Sequence, residues 1–164
     1  MNDIQLWFDD LKKSSKYAIS EIPFESMDQW YFDASDTNLR HQEGKFYSIE
    51  GIRVMTNYGV TQEWEQPIIN QPEIGILGIL TKVLDGERKY LMQAKMEPGN
   101  INILQLSPTV QATESNYKRA HGGKGTVYLE YFLNQSGSVV LFDQLQTEQG
   151  GRFYRKRNRN KALI

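Results

Sequence analysis

Apolar residues at Ile4, Trp7, Phe8 and Leu11 recur at i, i+3, i+4 and i+7, which predicts a helix at the start of the chain, capped by Asn2 or Asp3. The pattern breaks over Ser14 to Ser20, and Pro23 opens a turn-rich stretch containing Met27 and Trp30. After Gly44, the run Phe46 to Met55 is rich in β-branched and aromatic residues and predicts a strand. Two apolar runs, Ile74 to Leu84 and Lys89 to Met96, flank Asp85-Gly86 and predict an antiparallel hairpin. Pro98-Gly99 ends the second run, and a third, Ile101 to Leu106, stops at Ser107-Pro108.

The polar stretch Thr109 to Arg119 can begin a helix, and Gly122, Gly123 and Gly125 form a loop. Val127, Tyr128, Tyr131 and Phe132 fit one helical face, Val139 to Phe142 reads as a buried strand, and Gly150-Gly151 punctuates the chain again. No repeat or low-complexity segment interrupts this order, so residues 1–164 read as a single α+β domain with helices packed on a mixed β-sheet.

Charge changes the picture at one end. The 16 residues after Glu148 hold six bases and no acid, whereas the first 148 residues carry 13 bases against 20 acids. A basic block beside an acidic body suggests an anionic partner; on charge alone it reads as a solvated tail. The tail sequence RKRNRN also resembles a nucleic-acid patch, but the pI of about 6.1 argues against that use. With no cysteine and only His41 and His121 as imidazoles, disulfides and thiolate metal sites are excluded. No apolar run is long enough to span a membrane, and the acidic start MNDIQLWFDDLKK does not suit a signal peptide, so a cytoplasmic protein is expected.

Candidate chemistry sits in three places. Gln93, Lys95 and Glu97 alternate along one predicted strand and share a face, so Lys95 and Glu97 fit either a proton-transfer pair or a surface ion pair. Ser115, Asn116, Tyr117, Lys118 and Arg119 concentrate two cations beside a hydroxyl, an amide and a phenol, a set able to clamp a phosphate. Gln and Asn recur along the chain and suit sugar hydroxyls, because each amide donates and accepts. HGGKGT lacks the upstream glycine and the following Ser or Thr of a phosphate-binding loop, Gly123-Lys124-Gly125 is not completed as a dinucleotide fingerprint, and no nucleophile elbow is present.

Read together, QPEIGILG (Gln71 to Gly78), LMQAKMEPGN (Leu91 to Asn100), LSPTVQAT (Leu106 to Thr113), SNYKR (Ser115 to Arg119), YLEYF (Tyr128 to Phe132) and QLQTEQGGRFYRKRNRN (Gln144 to Asn160) resemble the NDP-hexose 2,3-dehydratase family. IPFESMDQWYFD and HQEGKFYSIEG upstream also fit, so the resemblance runs from about Ile22 onward. It implies a Nudix-like α/β/α sandwich on a mixed sheet, without the Arg-Glu and Glu-Glu motif that holds magnesium in Nudix hydrolases. It also implies dehydration of a nucleoside-diphosphate-4-keto-6-deoxyhexose, most readily a dTDP-linked one, without metal or other cofactor, as a step of deoxysugar biosynthesis.

Under this resemblance, Trp30 and Trp64 are expected to stack on base or sugar, and Ser115, Asn116, Tyr117, Lys118 and Arg119 to hold the diphosphate and sugar. Gly151, Arg152 and Tyr154 would close the site from the tail side. Lys95, Glu97 and Tyr117 are the candidates for proton transfer and enolate stabilisation. The family carries two copies of this domain in one chain, and the single copy here looks like the first. A homodimer that rebuilds the pair is therefore expected, with a fragment of a tandem enzyme or a non-catalytic nucleotide-sugar-binding module as the alternatives. A ketoreductase is the expected partner downstream, and neither nucleic acid nor membrane is an expected partner.

Overall fold

The computed structural model describes residues 3–117, 125–133 and 137–164. Helix α1 (Asp3–Ser14) forms where the apolar spacing predicts it, with Asp3 in its first turn and Lys12 and Lys13 in its last, both favourable to the helix dipole. None of its residues is buried. A single 3-10 turn, Phe24–Ser26, follows.

The first sheet is an antiparallel meander of β1 (Trp30–Phe32), β2 (Leu39–His41), β3 (Ser48–Met55) and β4 (Glu63–Asn70), in that spatial order. The connection from β1 to β2 is fixed by side-chain carboxylates. Asp33 Oδ1 accepts the Ser35 N–H at 2.9 Å, Asp36 Oδ1 accepts the Asn38 N–H at 3.0 Å, and Arg40 closes the turn with a two-pronged pair to Asp36 at 2.8 and 2.6 Å.

The second sheet carries the core. Its order is β10 (Val140–Thr147), β11 (Arg157–Leu163), β5 (Gly75–Leu84) and β6 (Glu87–Leu91), and β9 (Val110–Ala112) also pairs with β5. The β5–β11 pair is parallel and the others are antiparallel, so the sheet is mixed, as expected of an α+β fold and consistent with an α/β sandwich. Asp85 and Gly86, with φ of 52° and 78°, make the predicted two-residue hairpin between β5 and β6.

The second predicted strand of that hairpin divides. β6 ends at Leu91, and β7 (Gln93–Met96) leaves β5 to pair antiparallel with β8 (Leu104–Ser107). Thr109 marks the division: its hydroxyl accepts the Leu80 N–H at 2.9 Å and donates to the Leu91 carbonyl. One side chain thereby supplies ladder bonds where the edge of β5 passes from β9 to β6.

Ile76, Val110, Ala112, Leu129, Phe132 and Leu163 form the buried cluster of this sheet, with Leu80 and Tyr131 packed against it. α3 (Leu129–Phe132) brings two of these residues in and is shorter than the predicted helical face. Val127 and Tyr128 precede it, and Tyr128 has a positive φ of 65°. The Thr109–Arg119 stretch yields β9 and only a short helix, α2 (Glu114–Tyr117). The loop containing Gly122 and Gly123 lies outside the described residues.

Two expectations are corrected at the end of the chain. The basic segment is not a solvated tail: it enters the sheet as β11, between β10 and β5, with Lys156, Asn158, Lys161 and Leu163 buried. Val139 to Phe142 is not a buried strand. Val140 to Phe142 open the edge strand β10, Val139 stands just before it, and all four residues are exposed. Edge position contributes to the exposure, because among the described residues only one flank of β10 has a neighbouring strand.

Candidate active-site cavity

Between β10 and β11 the chain makes a loop, residues 148–156, whose ends are tied by the Glu148 N–H donating to the Lys156 carbonyl at 3.0 Å. The middle of the loop docks on the first sheet. Ile69 of β4 donates its N–H to the Arg152 carbonyl and accepts the Tyr154 N–H, both at 2.8 Å, forming a parallel bridge between Ile69 and Phe153. Gln66 Nε2 adds a bond to the Gly151 carbonyl at 2.8 Å.

Beneath this loop lies a cavity of 510 Å³. Gly75 and Leu77 of β5, Gln111 and Ala112 of β9, Lys95 of β7 and Asn158 of β11 form its walls. The loop adds Glu148, Gln149, Phe153 and Lys156. A mixed apolar and amide lining with few charges is the composition of a small-molecule site.

The charged wall is tightly organised. Asn158 Oδ1 accepts the Gly75 N–H at 3.2 Å, and Asn158 Nδ2 donates to Glu148 Oε2 at 2.5 Å. Glycine at position 75 eases this approach, since a Cβ there would stand 3.0 Å from Asn158 Oδ1, a tight contact. Lys156 is 5% exposed and its ammonium donates to the Glu73 carbonyl oxygen. Burial pushes the Lys156 pKa down, and the Glu73 and Glu148 carboxylates pull it back up. The Glu73 carboxylate itself accepts from Ser115 Oγ at 2.9 Å, and Ser115 lies 3.1 Å from the Thr113 hydroxyl on the cavity wall.

Of the residues singled out from sequence, Lys95 lines the cavity and is held by Glu97 at 2.8 Å. Glu97 is half-exposed and is not part of the lining. Ser115 reaches the rim through Glu73 and Thr113. Asn116 and Tyr117 belong to α2, directly after Ser115, whereas Lys118 and Arg119 lie outside the described residues.

Gly151, Arg152 and Tyr154 sit on the docked part of the loop. They hold it to β4, while their neighbours Gln149 and Phe153 face the cavity. Trp64 connects to the same loop at one remove, its Nε1 donating to Gln66 Oε1 at 2.8 Å. Trp30 is elsewhere, among His41 of β2 and Phe46 and Tyr47 of the connection before β3, with ring centroids 4.9 Å from Tyr47 and 5.3 Å from His41. It does not line the cavity.

Sequence reasoning missed Lys156 and Asn158 because their segment reads as a charged tail, and Glu148 because it stands among polar residues just before that tail. No local signal marks them: Lys156 immediately precedes β11, Asn158 lies within it, and the run from Arg157 to Lys161 has no apolar member to indicate burial. Among the described residues, no group of three or more His, Asp or Glu side chains is assembled to hold a metal ion.

The family model for NDP-hexose 2,3-dehydratase matches residues 1–163. A protein of Saccharopolyspora spinosa named dTDP-4-dehydro-6-deoxy-alpha-D-glucopyranose 2,3-dehydratase is 54% identical over 161 residues, covering 98% of this chain and 33% of its own. Proteins of the same name from Amycolatopsis orientalis and Streptomyces violaceoruber are 48% and 49% identical, over 98% and 94% of this chain and 35% of each of theirs. The chain thus spans about a third of the length of the curated relatives it matches. With the match running over residues 1–163, every described strand and the cavity lining included, the chain belongs to the NDP-hexose 2,3-dehydratase family.

Proposed function

We propose that the chain binds a dTDP-linked 4-keto-6-deoxyhexose in this cavity and removes its 2-hydroxyl, as a cytoplasmic step of deoxysugar biosynthesis. The observation that carries this reading is the family match across residues 1–163. The cavity supports it, with amides suited to sugar hydroxyls and cations suited to an oxyanion.

The 4-ketone acidifies the proton on carbon 3. Its removal gives an enolate, expulsion of the carbon-2 hydroxyl comes next, and the resulting enol tautomerises to a 3,4-diketo sugar. Lys95, facing the cavity and steadied by Glu97, is the candidate to stabilise the enolate oxygen. Tyr117, two residues after Ser115 in α2, is a further candidate for proton transfer or enolate stabilisation. Ser115, Asn116, Lys118 and Arg119 are assigned to the diphosphate, and the loop with Gly151, Arg152 and Tyr154 to the cavity's closure. Trp64, tied to that loop, is the candidate to stack on the base or sugar at this cavity, whereas Trp30 sits apart from it. The chemistry itself calls for no redox cofactor or metal. The diketone is reactive, so a ketoreductase is the expected next enzyme.

A second copy of the chain is the proposed partner, because the exposed apolar edge of β10 is a surface that symmetric pairing would cover. The second reading is a nucleotide-sugar-binding domain of a longer enzyme, favoured by the third-length coverage of the relatives. One experiment separates the two. The chain is incubated with dTDP-4-keto-6-deoxyglucose and a ketoreductase, and the sugar is followed by mass spectrometry for loss of the 2-hydroxyl. Turnover supports the dehydratase reading; saturable binding without turnover supports the binding domain.

A further inference from the structure

The dehydratase reading leaves open which group takes the carbon-3 proton, and the assignment of that base rests on the same reading. Carboxylates near the cavity include Glu97, Glu73 and Glu148. Glu97 is outside the lining and paired with Lys95 at 2.8 Å. Glu73 is also outside it, its carboxylate receiving Ser115 Oγ at 2.9 Å. Glu148 is the carboxylate that lines the cavity among the described residues.

Its position is set by β11, an interior strand of the sheet. Because Asn158 Oδ1 is occupied by the Gly75 N–H, the Asn158 amide can stand only one way round, with its nitrogen toward Glu148 Oε2. A base whose orientation is imposed by a backbone-locked amide is preorganised for proton transfer. Lys156 brings a buried ammonium to the same wall, and one bond to the Glu73 carbonyl uses one of its three donors.

We propose that Glu148 is the base that takes the proton from carbon 3 of the 4-keto sugar, with Asn158 orienting its carboxylate and Lys156 supplying positive charge beside the reacting carbons. The C3–H bond breaks as an O–H bond forms on Glu148, and the electron pair passes to the 4-oxygen. When that pair returns, the C2–C3 double bond forms and the C2–O bond breaks. The departing hydroxyl takes the proton from Glu148 and leaves as water, which restores the carboxylate. Nothing is oxidised or reduced from outside. Asn158 is a positioning residue in this scheme, and Lys156 acts on the substrate through its charge.

The test uses the 164-residue chain in D2O with dTDP-4-keto-6-deoxyglucose, reading deuterium at carbon 3 by NMR and affinity for dTDP by calorimetry. Glu148→Gln is expected to bind dTDP within about twofold of the unmodified chain and to lose exchange by about a hundredfold or more. Asn158→Ala is expected to lower kcat at unchanged KM, and Lys156→Arg to retain rate that Lys156→Met loses. Exchange by Glu148→Gln at the unmodified rate overturns the assignment and leaves the dehydratase reading standing. A fall in dTDP affinity equal to the fall in exchange also overturns it, since Glu148 would then serve binding. If Glu148→Gln does not fold, Glu148→Asp decides: exchange slowed about tenfold or more at unchanged affinity supports the role, and full rate overturns it. An unmodified chain that binds dTDP yet neither exchanges nor eliminates overturns the dehydratase reading and this assignment together.

Discussion

A methyl group at position 78 has nowhere to go. The Phe132 ring lies against the β5 backbone there, and a Cβ on Gly78 would overlap its edge. Gly78 thus acts as the seat of the largest fully buried side chain among the described residues, which lets α3 close over the sheet. Gly78→Ala should lower stability by about 1–3 kcal/mol, read as a lower thermal midpoint. The Asp33–Arg40 turn makes a separate prediction. Hydrogen bonds from Arg40 and from the Asn38 N–H hold the Asp36 pKa at about 2, below its ordinary 3.8. A lowered carboxylate pKa means that the turn's contribution is present above the ordinary value and is lost as pH falls through the folded one. An NMR titration of the Asp36 carboxyl should therefore give a midpoint near 2, and Arg40→Gln should return it toward 3.8.

At the scale of elements, β11 matters most. Leu163 is fully buried in the cluster with Phe132 and Val110, and Leu163→Ala should cost about 2–5 kcal/mol in denaturant unfolding. Nothing in its local sequence announces this role, since Arg157 to Lys161 alternates charge and amide with no apolar member. The burial comes from its partners: Lys161 reaches the Phe132 carbonyl at 2.8 Å and Asp143 at 3.4 Å, and Asn158 reaches Gly75. Local pattern did reveal α1, the β3 strand and the Asp85-Gly86 hairpin, because helix spacing and turn chemistry are short-range properties. It could not reveal that β7 leaves β5, which depends on the Thr109 hydroxyl from 18 residues beyond Leu91. The site divided in the same way. Lys95 was legible from strand alternation, while Glu148 and Asn158 become a pair only once two strands are side by side.

At the scale of the whole molecule, the exposed edge of β10 is the feature that calls for a partner. Light scattering at micromolar concentration should give twice the 19.0 kDa chain mass, and Leu141→Lys should return the chain to a monomer; a monomer in both cases removes the homodimer. The same sheet also has a consequence in time. Gly75 and Asn158 are 83 residues apart, so β5 cannot complete its parallel ladder until nearly everything between them has been synthesised. Until then Ile76, Leu77, Ile79 and Leu80 belong to a strand with one flank open, a state that invites pairing with other chains. Contacts this distant in sequence place refolding on the millisecond-to-second scale rather than the microsecond one. A nascent chain therefore passes through a window in which its most aggregation-prone strand waits for its most basic one, and the charge on that late-arriving segment helps keep it in solution until it docks.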